Sequence, residues 1–182
     1  MVDFLDEKSF RALPENSPFY SVVGRIASAW ARMEWSIDMA IWEMANVPHE
    51  TGACITAQFG GVHSRLRALI ALVHLNGLGS FTNELNKFYQ DSNEVVLKRN
   101  RAVHDAWWVS SPSGTVAQLR LTADKKLDYR FRATSMLEMD EIAAAIKAHD
   151  ERFTNIWMRL RAARHLASLE KPVGESPSET LG

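Results

Sequence analysis

The sequence predicts a mainly all-α protein: a bundle of four long helices, with a small β-hairpin or meander inserted before the last helix. Three observations predict it. Apolar residues recur at three- and four-residue steps over most of the chain. Helix-stopping pairs and triplets, such as Val47-Pro48, Gly60-Gly61 and Asn76-Gly77, divide that pattern into long segments. Between Trp107 and Ala133 the period changes to alternation around turn residues.

In order along the chain, residues 1–16 form an N-terminal lead-in arm. Ser17-Pro18 is a helix start, with Ser as N-cap and Pro at the first helical position. Val23, Ile26, Trp30, Met33, Ile37, Ile41 and Met44 then define one helix face up to Val47. The helix has about 28 residues, or ~42 Å at its usual rise. Trp35 and Trp42 lie off that stripe and make a second apolar face, which predicts burial on two sides, in a bundle or a dimer. A short helical piece fits residues 50–58. Val62, Leu66, Leu69, Ile70 and Val73 mark the second long helix. Ser80 is the expected cap of the third, marked by Phe81, Leu85, Phe88, Tyr89, Val95 and Val96, which carries the chain into Arg99. Residues 107–133 read as the β-insertion, turning at Ser110–Gly114 and again at Ala123–Lys126. Ser135 caps the last helix, about 136–167. One helical domain thus spans 17–167. Residues 168–182 are rich in Pro, Ser, Glu and Gly and read as a disordered tail.

Bulk properties narrow the function classes. The chain has 182 residues, 46% hydrophobic and 24% charged, as expected of one globular domain. Its net charge of −1 gives no global basic field for nucleic acid. The charge is uneven, however: residues 1–60 hold four basic residues against eight acidic ones, and the remainder 17 against 14. Cys54 is the sole cysteine, expected to be buried, so an intrachain disulfide or multi-Cys metal site is excluded. No His-x3-His or carboxylate–His cluster is present, so neither a protein metal site nor a cofactor is expected. No Gly-rich phosphate loop has the required strand-before, helix-after setting. The acidic opening Met-Val-Asp-Phe-Leu-Asp-Glu is unlike a signal peptide, and no apolar run reaches the ~18 residues that span a bilayer. A cytoplasmic protein without a membrane segment is the expectation.

The residues that carry chemistry are Arg99-Asn100-Arg101-Ala102-Val103-His104. Five positions on an ideal helix turn through about 500°, which leaves Arg99 and His104 roughly 140° apart. A rigid helix would point them in different directions. Either the helix bends or ends between them, or a partner chain completes the site. His titrates near ~6.5 and can act as acid or base. A planar Arg can meet a phosphate with two hydrogen bonds. The same residue types near a helix C-terminus also serve as carbonyl caps.

Residues 98–105, Lys-Arg-Asn-Arg-Ala-Val-His-Asp, resemble the signature of the HEPN superfamily: an Arg followed by a polar residue, with His a few positions beyond, late in a helical bundle. Glu34-Trp35 resembles that family's opening helix. The resemblance covers roughly residues 18–165 in architecture and is sharp only over 99–104. It implies a homodimer with both motifs facing one cleft, and a metal-independent endoribonuclease, in the style of a toxin or defence effector. Arg99 would then stabilise the transition state, His104 would be the general acid–base, and Asn100 would position. RNA is the implied substrate, with a cognate antitoxin or other partner protein possible. The alternative is a catalytically silent dimeric HEPN module that binds a protein or a nucleotide.

Supporting residues keep two readings each. Glu34 either pairs with Arg99 or is a surface carboxylate. Arg101 touches RNA backbone or only water. Trp107 stacks a base or packs the β-insertion on the bundle. His63, Arg65 and Arg67 add phosphate contacts or form a solvated face. Arg161 and Arg164 extend a basic groove or are ordinary solubility charges, like Arg152 and Arg159.

Overall fold

The computed structural model describes residues 9–111, 113–124 and 126–169. The fold is mainly helical, with a small antiparallel four-stranded sheet. Helix α1 (Pro18–Ala45) begins where the sequence signals it, with Ser17 Oγ accepting from Phe19 N at 3.4 Å. It stops at Asn46, which takes a left-handed conformation (φ 56°). Val22, Ile26, Trp30, Met33, Ile37 and Ile41 are buried along it at helical spacing. That stripe packs against α3 (Val62–Leu75), α4 (Thr82–His104) and α5 (Met136–Leu169), and α4 lies against both α3 and α5. The common core holds Leu66 and Leu69 from α3, Leu85 and Phe88 from α4, and Met139, Ile146, Phe153, Ile156 and Leu160 from α5.

The second apolar face of α1 is only half covered. Trp42 is buried under α2 (His49–Thr56), whose Gly52 lies so close that a Cβ there would run into the indole, while Thr56 Oγ1 accepts from Trp42 Nε1 at 3.2 Å. Trp35, by contrast, is 56% exposed. Cys54, also on α2, is exposed rather than buried, because that helix lends the core only Gly52 and Thr56. Ser80 does not cap α4. It lies in a 3-10 turn (Gly79–Phe81), and the N-cap position falls to Phe81, which makes no side-chain cap. Ser135 does cap α5, its Oγ accepting from Glu138 N at 3.1 Å.

The sheet runs in the order β1 (Phe10–Ala12), β2 (Ala106–Ser110), β3 (Val116–Asp124), β4 (Lys126–Ala133), each pair antiparallel. The segment expected to be a lead-in arm therefore supplies an edge strand, and Leu13 after it is buried in the core. Three residues with an Arg at the centre give too short an alternation to be seen in sequence. Trp107 faces the bundle, tilted on Phe19 at 5.4 Å. Its neighbour Trp108 is on the opposite face with Phe10 and Phe131. Helix α5 continues to Leu169, two residues into the expected tail, and residues 170–182 of that tail lie outside the described residues. No helix among the described residues is long and apolar enough to cross a membrane.

Arg161 and Arg164 line a cleft of about 400 Å³ with Glu43, His165 and Ser168, and the arginines of α5 are paired rather than a loose solvated set. Arg152 pairs with Asp91 (2.6 Å), Arg159 with Glu84 (2.5 Å) and Arg161 with Glu43 (3.2 Å), while Arg164 donates to the Glu43 carbonyl. They tie α5 to α4 and α1 as half-exposed pairs that solvent screens, so each adds little to stability. Beneath them His149 is buried, stacked on Phe88 at 4.1 Å, with Nε2 2.8 Å from Ser92 Oγ. Since the Ser92 hydroxyl donates to the Phe88 carbonyl, His149 Nε2–H is the donor to Ser92. Burial, reinforced by Arg152 and opposed by Asp91, pushes the His149 pKa down to about 4.

A histidine held neutral below its ordinary value of 6.5 contributes stability that is full above 6.5 and lost as pH falls through about 4. The stability gap between the wild type and His149→Gln, measured by urea denaturation, is expected to shrink by about 2 kcal/mol between pH 7 and pH 4.5. A gap that stays constant would mean the ring is not buried neutral.

Candidate active site

The last turns of α4 carry the Arg-x4-His residues. The helix continues to His104, and Asp105 then turns the backbone to an extended conformation and into β2. The helix end is fixed from the sheet: Trp107 Nε1 donates to the Ala102 carbonyl (3.2 Å) and Gln118 Nε2 to that of Arg101 (3.3 Å). The Ala102 carbonyl is one left over where the helix stops, whereas that of Arg101 also accepts from Asp105 N at 3.2 Å. Trp107 is thereby placed as a packing residue, away from Arg99 and Asn100.

Arg99 and His104 nevertheless meet within one chain. Arg99 Nη1 lies 3.0 Å from His104 Nε2 and donates to Asn100 Oδ1 at 3.0 Å. The inference that a rigid helix would separate them is corrected by side-chain length. The arginine reaches around the helix, and the histidine, as the last helical residue, has no following turn in its way. Asn100 holds Arg99 rather than His104. A guanidinium has only donors, so this contact requires a neutral His104 with the Nε2 lone pair toward Arg99 and the proton on Nδ1. Behind the pair the Arg99 guanidinium carbon is 5.8 Å from the Trp30 ring centre, within cation–π range. Arg99 Nε is buried with no partner among the described residues.

Arg99 and Asn100 open on a cleft of about 230 Å³, shared with Trp30, Glu34, Gly61 and His63. Gly61 sits at the N-cap of α3 with φ 129°, a conformation that favours glycine, and no side chain caps that helix. The N–H groups of its first turn and its positive dipole end therefore lie at the cleft wall. His63 packs edge-on against Tyr89 at 4.9 Å, and its Nε2 is buried without a partner among the described residues.

Glu34 lines the same cleft, but its ion-pair partner is Arg65 (3.8 Å), not Arg99. Arg65 binds Asp38 more closely, at 2.8 Å, and also the Phe59 carbonyl, so it is a strut between α1 and α3 rather than a phosphate contact. Arg67 is exposed. Arg101 turns to the other flank of α4, 3.9 Å from Asp105. Burial raises the Asp105 carboxyl above its ordinary range, against the lowering pull of Arg101, Arg120 and His104. Trp30 and Gly61 are the cleft residues that pattern reading missed: the first looks like any other core residue of the α1 stripe, the second like a helix breaker. Among the described residues no three His, Cys, Asp or Glu side chains converge as a metal site would need. No family model, curated protein or solved structure matches the chain.

Arg65 on α3 and Arg99 on α4 are expected to differ in how much stability they carry. Arg65→Met strands two half-buried carboxylates and should lower unfolding free energy by about 3 kcal/mol in urea denaturation. Arg99→Met removes its contacts to Asn100 and His104 and a cation–π pair, strands no carboxylate, and should cost about 1 kcal/mol or less.

Proposed function

We propose that this chain is a metal-independent endoribonuclease of the HEPN type, acting as a toxin or defence effector on RNA. The observation that carries the reading is the 3.0 Å contact between His104 and Arg99, which itself lines a cleft walled by an uncapped helix end. A phosphodiester in that cleft meets the Arg99 guanidinium and the α3 amides, both suited to an anion. When the phosphate oxygens take over Arg99, its hydrogen bond to His104 breaks and Nε2 becomes free. That nitrogen then accepts the proton of the ribose 2′-OH. The 2′-oxygen bonds to phosphorus, the bond from phosphorus to the 5′-oxygen breaks, and a 2′,3′-cyclic phosphate forms. The departing 5′-oxygen takes a proton from an imidazolium. In a dimer with facing clefts, His104 of the partner subunit is that acid. Arg99 stabilises the charge gathered on the pentavalent phosphate, and Asn100 keeps the guanidinium in place.

The second reading is a silent dimeric module of the same family that binds a protein or nucleotide. Its support is charge: the net −1 and the acidic first 60 residues are poor for gripping a polyanion. Incubation of the purified chain with cellular RNA in EDTA separates the two. The ribonuclease reading expects cyclic-phosphate ends, with His104→Ala and Arg99→Ala each slowing cleavage at least ~100-fold, and growth arrest on expression of the wild type alone. Variants that cut at the wild-type rate, or a wild type that never cuts, would favour the silent module.

A further inference from the structure

On the opposite flank of α4 from the Arg99 cleft lies a larger one, of about 500 Å³, between α4, the sheet and the first turn of α5. Arg101 is two residues beyond Arg99, and so about 200° around the helix. Lys98 and Arg101 come from α4, Arg120 from β3 and Arg132 from β4. Gln118 and Arg132 are cross-strand partners, as are Arg120 and Arg130, so the arginines share the sheet face that meets the bundle. Like charges placed this way repel, and a fold keeps them together at a cost.

Carboxylates offset that repulsion incompletely. Arg132 is paired with Glu138 at 2.8 Å. Asp105 stands 3.9 Å from Arg101, beyond hydrogen-bond distance. Arg120 has its Nε buried with no hydrogen-bond partner among the described residues. Burial first, then Arg132 and Arg101, hold its pKa below the ordinary arginine value, with Asp105 pulling the other way. A half-buried guanidinium so surrounded lacks an anion with several acceptor oxygens. A carboxylate offers two, in one plane. The donors here arrive from a helix and two strands, which suits the tetrahedral oxygens of phosphate.

We infer that this cleft is a phosphate-binding site, in which Arg120, Arg101 and Arg132 hold a phosphate group of a nucleotide or of an RNA backbone. The site stands apart from the Arg99–His104 pair and does not require that pair to be catalytic. Two probes distinguish the sources: inorganic pyrophosphate by titration calorimetry, and a labelled single-stranded RNA by anisotropy, both with the full chain carrying His104→Ala. At low salt, pyrophosphate is expected to bind, with affinity falling at least ~10-fold in Arg120→Gln and unchanged in Lys147→Gln, an exposed α5 residue paired with Glu151. A parallel fall in RNA binding assigns the site to backbone phosphate, and a fall for pyrophosphate alone assigns it to a free nucleotide. If Arg120→Gln does not fold, the half-exposed Arg132→Gln takes its place in the same comparison. Binding of both probes unaltered in the folded variant, or no binding of either, would overturn the inference. Cleavage plays no part in the readout, so a chain that binds phosphate here and cuts no RNA still supports the site.

Discussion

The end of α4 depends on its last carbonyls finding donors. A helix that stops inside a protein leaves backbone acceptors that must be satisfied or solvated. Here the sheet serves the Ala102 carbonyl through the Trp107 indole, and the buried Gln118 amide adds a second donor to the Arg101 carbonyl, which already accepts from Asp105 N. No glycine ends this helix; Asp105 goes straight into an extended conformation and begins the next strand. Two consequences follow from this one junction. His104 is fixed as the terminal helical residue, where the long Arg99 side chain can reach it. The sheet is held against α4 closely enough for its arginines to border Lys98 and Arg101.

Much of the fold was legible in the sequence because its elements are long and their apolar stripes regular. The α1 stripe from Ile26 to Met44 and the caps at Ser17 and Ser135 are local signals that the structure keeps, while at the start of the helix Val22 is buried in place of the expected Val23. What pattern reading lost was non-local. Strand β1 exists because β2 offers it an edge, with Phe10 stacked on Phe131 some 120 positions away in sequence, and nothing within three residues announces that. Ser80 is a good cap by type, yet a 3-10 turn intervenes and moves the helix start past it. The α5 arginines have carboxylate partners on α1 and α4 that no spacing rule links to them.

The site was legible as a set of residues and illegible as a geometry. An angular argument applied to Cα positions places Arg99 and His104 on different faces, and it neglects how far a guanidinium extends beyond its backbone. The pairing of Glu34 with Arg65 shows the converse: the chemistry near the seam was visible, but the partner was set by how α3 crosses α1. Folding gathers Lys98, Arg101, Arg120 and Arg132 around one cleft against Glu138 and Glu141, while in the other Arg99 faces Glu34. Average charge is a weak guide where positive groups are concentrated by folding.

The preassembled Arg99–His104 contact is the centre of this picture, and the tautomer of His104 measures it most directly. Long-range nitrogen–proton correlation NMR at a pH where the imidazole is neutral reports which ring nitrogen carries the proton. A guanidinium donating to Nε2 predicts the Nδ1–H form for His104, reverting to the mixed state of a free imidazole in Arg99→Met. A predominant Nε2–H form in the wild type, or the same spectrum in both proteins, would contradict it.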